Sequence, residues 1–181
     1  MRVIAGEKRG TLLNSPPGKD IRPTYDMVRE AVFGKLQFQV PGTTILDMFA
    51  GSGAMGIEAL SRGAEFAYFI DRDEGALQTV RANIQKTKYQ EKCKIIKNDY
   101  TSALKLFKNG TKFDIVFIDP PYASGYYEKT LRLLDEYGLL KENATLVLES
   151  DEALSIELEN YSQKQTKKYG KTIITYLEYT K

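Results

Sequence analysis

The stretch Asp47-Met48-Phe49-Ala50-Gly51-Ser52-Gly53-Ala54-Met55-Gly56 joins an apolar run at 43–49 to an amphipathic segment at 54–62. A short apolar run that ends in closely spaced glycines and continues into a helical pattern reads as strand, tight loop and helix. Downstream the alternation repeats. Apolar runs at 65–71, 94–98, 113–119 and 144–149 are each preceded or followed by helical segments, at 73–87, 101–108 and 126–137. Repeated strand and helix units imply right-handed crossovers and a parallel sheet.

The two ends of the chain differ from this middle. Residues 163–169 and 172–179 alternate in polarity and meet at Gly170-Lys171, which predicts a hairpin adding antiparallel strands at one edge. At the other end, residues 1–13 read as two short strands around Gly6-Glu7-Lys8-Arg9-Gly10. Between Pro17 and Pro41, Thr24 is a predicted N-cap, with Asp26 in the first turn and Val28, Val32, Phe33 and Leu36 forming a helical stripe. Gly34 inside that helix costs it about 1 kcal/mol relative to alanine. The expectation is an α/β fold: a doubly wound, mostly parallel, Rossmann-like sheet of seven strands. Residues 1–40 form a hairpin and helix extension, and 41–181 form the main domain.

Composition narrows the chemistry. The 181 residues include no histidine, which excludes histidine triads, histidine bases and HExxH metal sites. The single cysteine, Cys93, excludes disulfides and cysteine-rich metal centres, so no metal is expected. An unpaired thiol, and a first ten residues without an apolar core, fit a cytoplasmic setting. The apolar stretch at 43–60 is interrupted by Asp47, Glu58 and three glycines, so no membrane association is expected. The formal net charge is +2, unevenly spread: residues 1–40 carry seven basic side chains against four acidic ones. A basic extension on a nearly neutral body is compatible with a polyanionic partner.

Gly51, Gly53 and Gly56 satisfy the dinucleotide pattern GxGxxG, with Asp71 twenty residues after Gly51. Asp47 argues against a pyrophosphate there, since two like charges in a partly desolvated loop repel by on the order of 1 kcal/mol or more. S-adenosylmethionine reverses that sign, because it carries a sulfonium and an ammonium and no phosphate. Glycines then allow close backbone approach to its methionine part. Asp71 is placed to accept its ribose hydroxyls, and Asp99 its adenine amino group. Phe49, Arg72 and Tyr100, beside these residues, belong to the same predicted pocket. The competing role for each acid is a helix N-cap.

The run at 113–118 ends in Asp119-Pro120-Pro121-Tyr122. Two prolines remove two backbone donors and stiffen the turn, leaving the Asp119 carboxylate and the Pro120 carbonyl as acceptors. Two such acceptors can grip the hydrogens of an exocyclic amino group and aim its lone pair at a sulfonium methyl, a gain from positioning and electrostatics. Tyr122 is placed to stack on the base, worth roughly 1–3 kcal/mol. Cytosine C5 methylation needs a cysteine at this turn, and Cys93 lies elsewhere.

Together these motifs resemble the class I S-adenosylmethionine-dependent methyltransferases that modify amino nitrogens. The fuller pattern resembles the RsmD family of bacterial 16S rRNA (guanine(966)-N2)-methyltransferases. It comprises Arg2-Val3-Ile4-Ala5-Gly6 with Arg9-Gly10, then Arg22-Pro23-Thr24 with Asp26, Val28, Arg29 and Glu30, then GSGAMGIEALSRGA at 51–64. The likeness extends to Tyr169-Gly170-Lys171-Thr172. It departs at Met48, Met55 and Ile57, where leucine is usual, and at Gly34, where asparagine is common. The resemblance implies methylation of a guanine N2 in 16S rRNA of the small ribosomal subunit or its assembly intermediate. Asp47, Gly51, Gly53, Asp71 and Asp99 would hold S-adenosylmethionine, and Asp119, Pro120 and Tyr122 the guanine. Arg22 and Thr24, with Arg2, Lys8 and Arg9 of the basic hairpin, would contact RNA. A paired guanine hides its N2 in the minor groove, so the base must come from a splayed or flipped position. Two alternatives remain at this stage: a DNA adenine-N6 methyltransferase, or a non-catalytic module binding S-adenosylmethionine or NAD.

Overall fold

A computed structural model of the chain describes residues 1–16, 23–108, 110–121 and 125–181, without the side chains of 23–25. Its order is α1 (Pro23–Leu36), β1 (Thr44–Met48), α2 (Ala54–Ser61), β2 (Phe66–Asp71), α3 (Glu74–Thr87), β3 (Cys93–Lys97), α4 (Tyr100–Lys105), β4 (Phe113–Ile118), α5 (Tyr126–Glu136), β5 (Leu140–Ser150), β6 (Tyr161–Tyr169) and β7 (Thr172–Tyr179). A single 3-10 turn, Gln90–Lys92, precedes β3.

The seven strands form one sheet in the order β3-β2-β1-β4-β5-β7-β6. β3, β2, β1, β4 and β5 are parallel, and β7 runs antiparallel between β5 and β6. This is the expected α/β architecture with its C-terminal antiparallel hairpin. The chain reverses its direction of strand addition between β1 and β4, and open α/β sheets bind ligands at the carboxyl ends of strands flanking such a point.

Strand periodicity sorts the core into two layers. Ile45, Phe69, Ile115 and Phe117 pack with α1, α2 and α3, while Leu46, Met48, Ile70, Val116 and Ile118 pack with Leu104 of α4 and with Leu131 and Leu134 of α5. Asp47 alternates with Leu46 and Met48 and therefore faces the α2 layer. Val3, Leu13, Val28, Val32, Phe33 and Leu36 of the N-terminal segment are buried in that same layer.

Three local expectations are revised. The N-terminal hairpin carries one isolated antiparallel bridge, Arg2 to Leu12, in place of two strands. Its turns close through Val3 N–H to Thr11 C=O (3.0 Å) and Gly10 N–H to Val3 C=O (2.9 Å). α1 begins at Pro23, with proline's fixed φ suiting a first helical turn, so Thr24 lies within the helix and does not cap it. β5 starts four residues before the apolar run, because a register shift between Phe113 and Ile115 accommodates polar Lys141, Glu142 and Asn143.

Candidate active site

The loop after β1 is shaped by backbone geometry. Phe49 adopts φ 60°, Gly51 57° and Gly53 75°, a left-handed sequence that turns the chain sharply into α2. Gly53 occupies the N-cap position and offers no side-chain acceptor. Asp47 fills that role from below, its Oδ2 accepting the Gly56 N–H at 3.0 Å. The Asp47 side chain is 4% exposed. Burial pushes its carboxyl up to about 8, against the Gly56 hydrogen bond, and the negative charges of Asp119 and Asp71 push the same way. Sequence reasoning placed this acid on the rim of the loop; it lies behind the loop, because the strand's two-residue period turns it toward α2.

Asp71, at the tip of β2, accepts the Gly51 N–H at Oδ2 (2.9 Å) and the Asp73 N–H at Oδ1 (2.9 Å). One carboxylate thus ties the cofactor-type loop to the start of α3. Asp99 is an N-cap for α4. Its Oδ1 accepts from Thr101 N (3.1 Å), Ser102 N (3.0 Å) and Thr101 Oγ1 (2.5 Å), which hold the carboxyl well below the usual range. Arg72 is exposed beside Asp71. Phe49, Tyr100 and Tyr126 form an aromatic cluster, with ring centroids 5.6 Å (Phe49 to Tyr100), 5.9 Å (Phe49 to Tyr126) and 5.4 Å (Tyr100 to Tyr126) apart. Tyr126, the first residue of α5, was missed from sequence; its only signal is its place shortly after the Asp-Pro-Pro-Tyr turn.

Asp119 follows β4, exposed at the carboxyl edge of the sheet, with Pro120 buried behind it. Tyr122 lies outside the described residues. Ile118 is in register with Leu148, so Asp119 and Glu149 lie side by side on adjacent strands. Burial, then the charge of Asp119, raises the Glu149 carboxyl to about 8. Tyr127 donates its hydroxyl to the Glu149 backbone carbonyl at 2.5 Å. Glu149 was also missed, although it ends an apolar run just as the predicted acids do.

The basic residues of the extension separate. Exposed Arg2 and Arg9 line a cleft of about 370 Å³ between the hairpin and α1, with Asp26, Met27 and Glu30 opposite. Lys8 turns away, pairing with Glu7 at 2.6 Å and lying over the Tyr89 ring. Arg22 is outside the described residues, and only the backbone of Thr24 is described. The hairpin is clasped to α2 by Glu58, whose buried carboxylate accepts the N–H groups of Ile4 (2.8 Å) and Ala5 (3.0 Å) and pairs with Arg62 (2.8 Å).

These tips suit a ligand that is cationic near Asp47 and carries hydroxyls near Asp71. A Cβ built on Gly51 would meet only the Phe49 carbonyl, at 3.9 Å, so the space before the loop is open. The negative charges of Asp71 and Asp119, which already bear on Asp47, disfavour a phosphate at this loop and favour a cation. Among the described residues, no group of three or more histidine, cysteine, aspartate or glutamate side chains could hold a metal ion. Nor is any described helix long and apolar enough to cross a membrane.

Residues 1–178 match the family described as "Conserved hypothetical protein 95". The chain is 41% identical over 157 residues to YlbH of Bacillus subtilis (strain 168), covering 86% of this chain and 85% of that protein. It is 38% identical over 151 residues to Ribosomal RNA small subunit methyltransferase D of Escherichia coli (strain K12), covering 83% and 75%. The solved structure of yhhF from Escherichia coli superposes with a TM-score of 0.88 at 32% identity, covering 100% of this chain and 98% of that one.

Proposed function

This chain belongs to the Conserved hypothetical protein 95 family, and on that premise we propose that it transfers a methyl group from S-adenosylmethionine to N2 of a guanine in small-subunit ribosomal RNA. One observation carries the reading. Asp47, Asp71 and Asp119 lie at the tips of β1, β2 and β4 around an open glycine loop, and the last of them opens the sequence Asp119-Pro120-Pro121-Tyr122. A relative at 38% identity bears the name of a small-subunit rRNA methyltransferase, which supplies the RNA class.

When bound, S-adenosylmethionine supplies an electrophilic methyl group on a sulfonium. The residues of the chain do the rest by placement. Gly51 and Gly53 let the backbone come close to the ligand, and Asp71, fixed by two amide hydrogen bonds, accepts from ribose hydroxyls. Asp47 presents a carboxyl poised to ionise when a cation arrives. At the turn, Asp119 and the Pro120 carbonyl hold the two hydrogens of the guanine amino group and orient its nitrogen, with Tyr122 stacked on the base. Asp119 also stands where the proton leaving that nitrogen can be taken up. No nucleophilic side chain is required, consistent with a chain that lacks histidine.

The test is incubation with methyl-labelled S-adenosylmethionine and unmodified small ribosomal subunits, followed by mass mapping of the RNA. The expected product is one N2-methylguanosine. Label in a different base, or transfer to duplex DNA alone, would overturn the assignment.

A further inference from the structure

The C-terminal hairpin brings a second cluster of positive charge to the working edge of the sheet. Residues 161–181 contain five lysines, Lys164, Lys167, Lys168, Lys171 and Lys181, and one acid, Glu178. That surplus of four exceeds the surplus of the N-terminal extension. Two of the five are neutralised locally: Lys164 pairs with Glu178 at 2.8 Å and Lys181 with Asp135 at 3.2 Å. Lys167, Lys168 and Lys171 are exposed and form no ion pair among the described residues.

Strand direction decides where these three stand. β5 is parallel to β4, and Ser150 at its carboxyl end pairs with Ile173. Lys168 pairs with the same Ile173, Lys167 with Ile174, and Tyr169 with Thr172 across the turn. The hairpin tip is therefore level with the carboxyl ends of the parallel strands, where Asp119 and Glu149 lie. Lys167, Ile174 and Glu149 form one cross-sheet row, and Asp119 adjoins Glu149 on the next strand. Three strand spacings of about 4.8 Å put Lys167 about 14 Å along the edge from Asp119.

We infer that Lys167, Lys168 and Lys171 form a contact for the phosphate backbone of the RNA substrate on the β5 side of the target base. This rests on the reading of the chain as an RNA methyltransferase. Edge strands carry lysines to discourage pairing with other strands, which accounts for Lys164 along β6. It does not account for Lys171, which sits in the turn beyond the strand, nor for three unpaired charges gathered at one end. Asp151 and Glu152, which follow Ser150 at the end of β5, form no ion pair with these lysines among the described residues, and Ser150 Oγ donates to the Glu152 carbonyl at 2.7 Å. The tip thus keeps its charge for an external polyanion, and a single strand leaving a base at Asp119 passes within its reach.

The experiment compares wild type, K167Q/K168Q/K171Q and a control, K92Q/K94Q/K112Q, which removes three charges at the opposite, amino-terminal edge of the sheet. Binding of a 16S rRNA fragment is measured across a salt series, alongside KM for small subunits, affinity for S-adenosylmethionine and the thermal midpoint. The tip variant is expected to lower the log–log salt slope by about 2, close to three phosphate contacts to a single strand. KM for subunits should rise several-fold, while cofactor affinity and thermal midpoint hold; the control should match wild type. An unchanged slope and KM in the tip variant, or an equal loss in the control, would overturn the contact. If wild type transfers no methyl to subunits yet the tip variant still loses slope, the reaction assignment fails and the contact stands.

Discussion

Gly56 donates its backbone N–H to Asp47 Oδ2 at 3.0 Å, so an acid at the end of β1 serves as the acceptor that the N-cap glycine of α2 cannot provide. The same carboxyl is buried behind the loop that would receive the methyl donor. One group thereby links the stability of a helix terminus to the charge of a ligand.

This linkage has a pH signature. With the Asp47 carboxyl raised to about 8, its contribution to stability is full below the unfolded carboxylate range, near 4, and is lost as pH rises through 8. Asp47→Asn keeps an acceptor for Gly56 but cannot ionise, so without ligand it should gain stability on wild type between pH 4 and 8. Binding of cationic S-adenosylmethionine should drive a proton off wild-type Asp47 at pH 7, and the variant should bind more weakly and release none. Calorimetry in buffers of different ionisation heat reads the proton directly, and the same observed heat in every buffer would count against the linkage.

At the turn after β4 the expectation is a separation of binding from chemistry. Asp119 is exposed at the carboxyl edge of the sheet, beyond the end of β4. Asp119→Ala should therefore fold normally and bind S-adenosylmethionine within a few-fold of wild type, while methyl transfer to small subunits falls by several orders of magnitude. Retained turnover would show that Asp119 does not hold the amino group.

Glu58 predicts a third outcome. Its carboxylate is fully buried and satisfies two hairpin N–H groups and Arg62, with Arg29 Nε 3.7 Å away. Removing one partner of a buried network leaves the others unpaired, at a cost of about 3 kcal/mol or more. Glu58→Ala should lower the urea midpoint accordingly and expose residues 1–16 to protease before the rest of the chain unfolds. A single unfolding transition with an intact hairpin would mean that its other contacts, those of Ser61 with Ala5, Glu7 and Lys8 and the burial of Val3 and Leu13, suffice to hold it.

The legible parts of this molecule were those written in local pattern. Apolar runs and glycine spacing located every parallel strand, because burial on both faces leaves near-continuous hydrophobic stretches. The acids at strand tips were legible for the same reason: each lies at, just before or just after the end of such a run. What escaped depends on partners distant in sequence. Glu58 reads as an ordinary helical charge, yet its hydrogen bonds reach residues 53 and 54 positions earlier. Glu149 gains its character from burial and then from Asp119 beyond the neighbouring strand. Asp99 shows the opposite case, since Asp99-Tyr100-Thr101-Ser102 spells an N-cap that the structure forms in full, alongside the ligand role expected of it.

Two glycines in helices should answer the same substitution with opposite sign. Gly34 in α1 is exposed, and a Cβ there meets nothing within 4 Å; its φ is not in the left-handed region. Gly34→Ala should stabilise the protein by about 0.5–1 kcal/mol, through helix propensity and a less flexible unfolded chain. Gly56 in α2 has no such room: its Cβ would stand 2.4 Å from Phe69 Cε1 and 2.7 Å from Cζ. Since Phe69 is fully buried in β2, the helix must lift from the sheet, costing about 1–3 kcal/mol and moving the Gly56 N–H away from Asp47. Gly56→Ala should therefore weaken S-adenosylmethionine binding as well as stability. Phe69→Leu added to it should recover part of both, because shortening the ring removes the clash. Denaturant titration and cofactor calorimetry on the two single variants and the double variant provide the check. Additive losses in the double variant would show that the Phe69 contact is not what sets the position of α2.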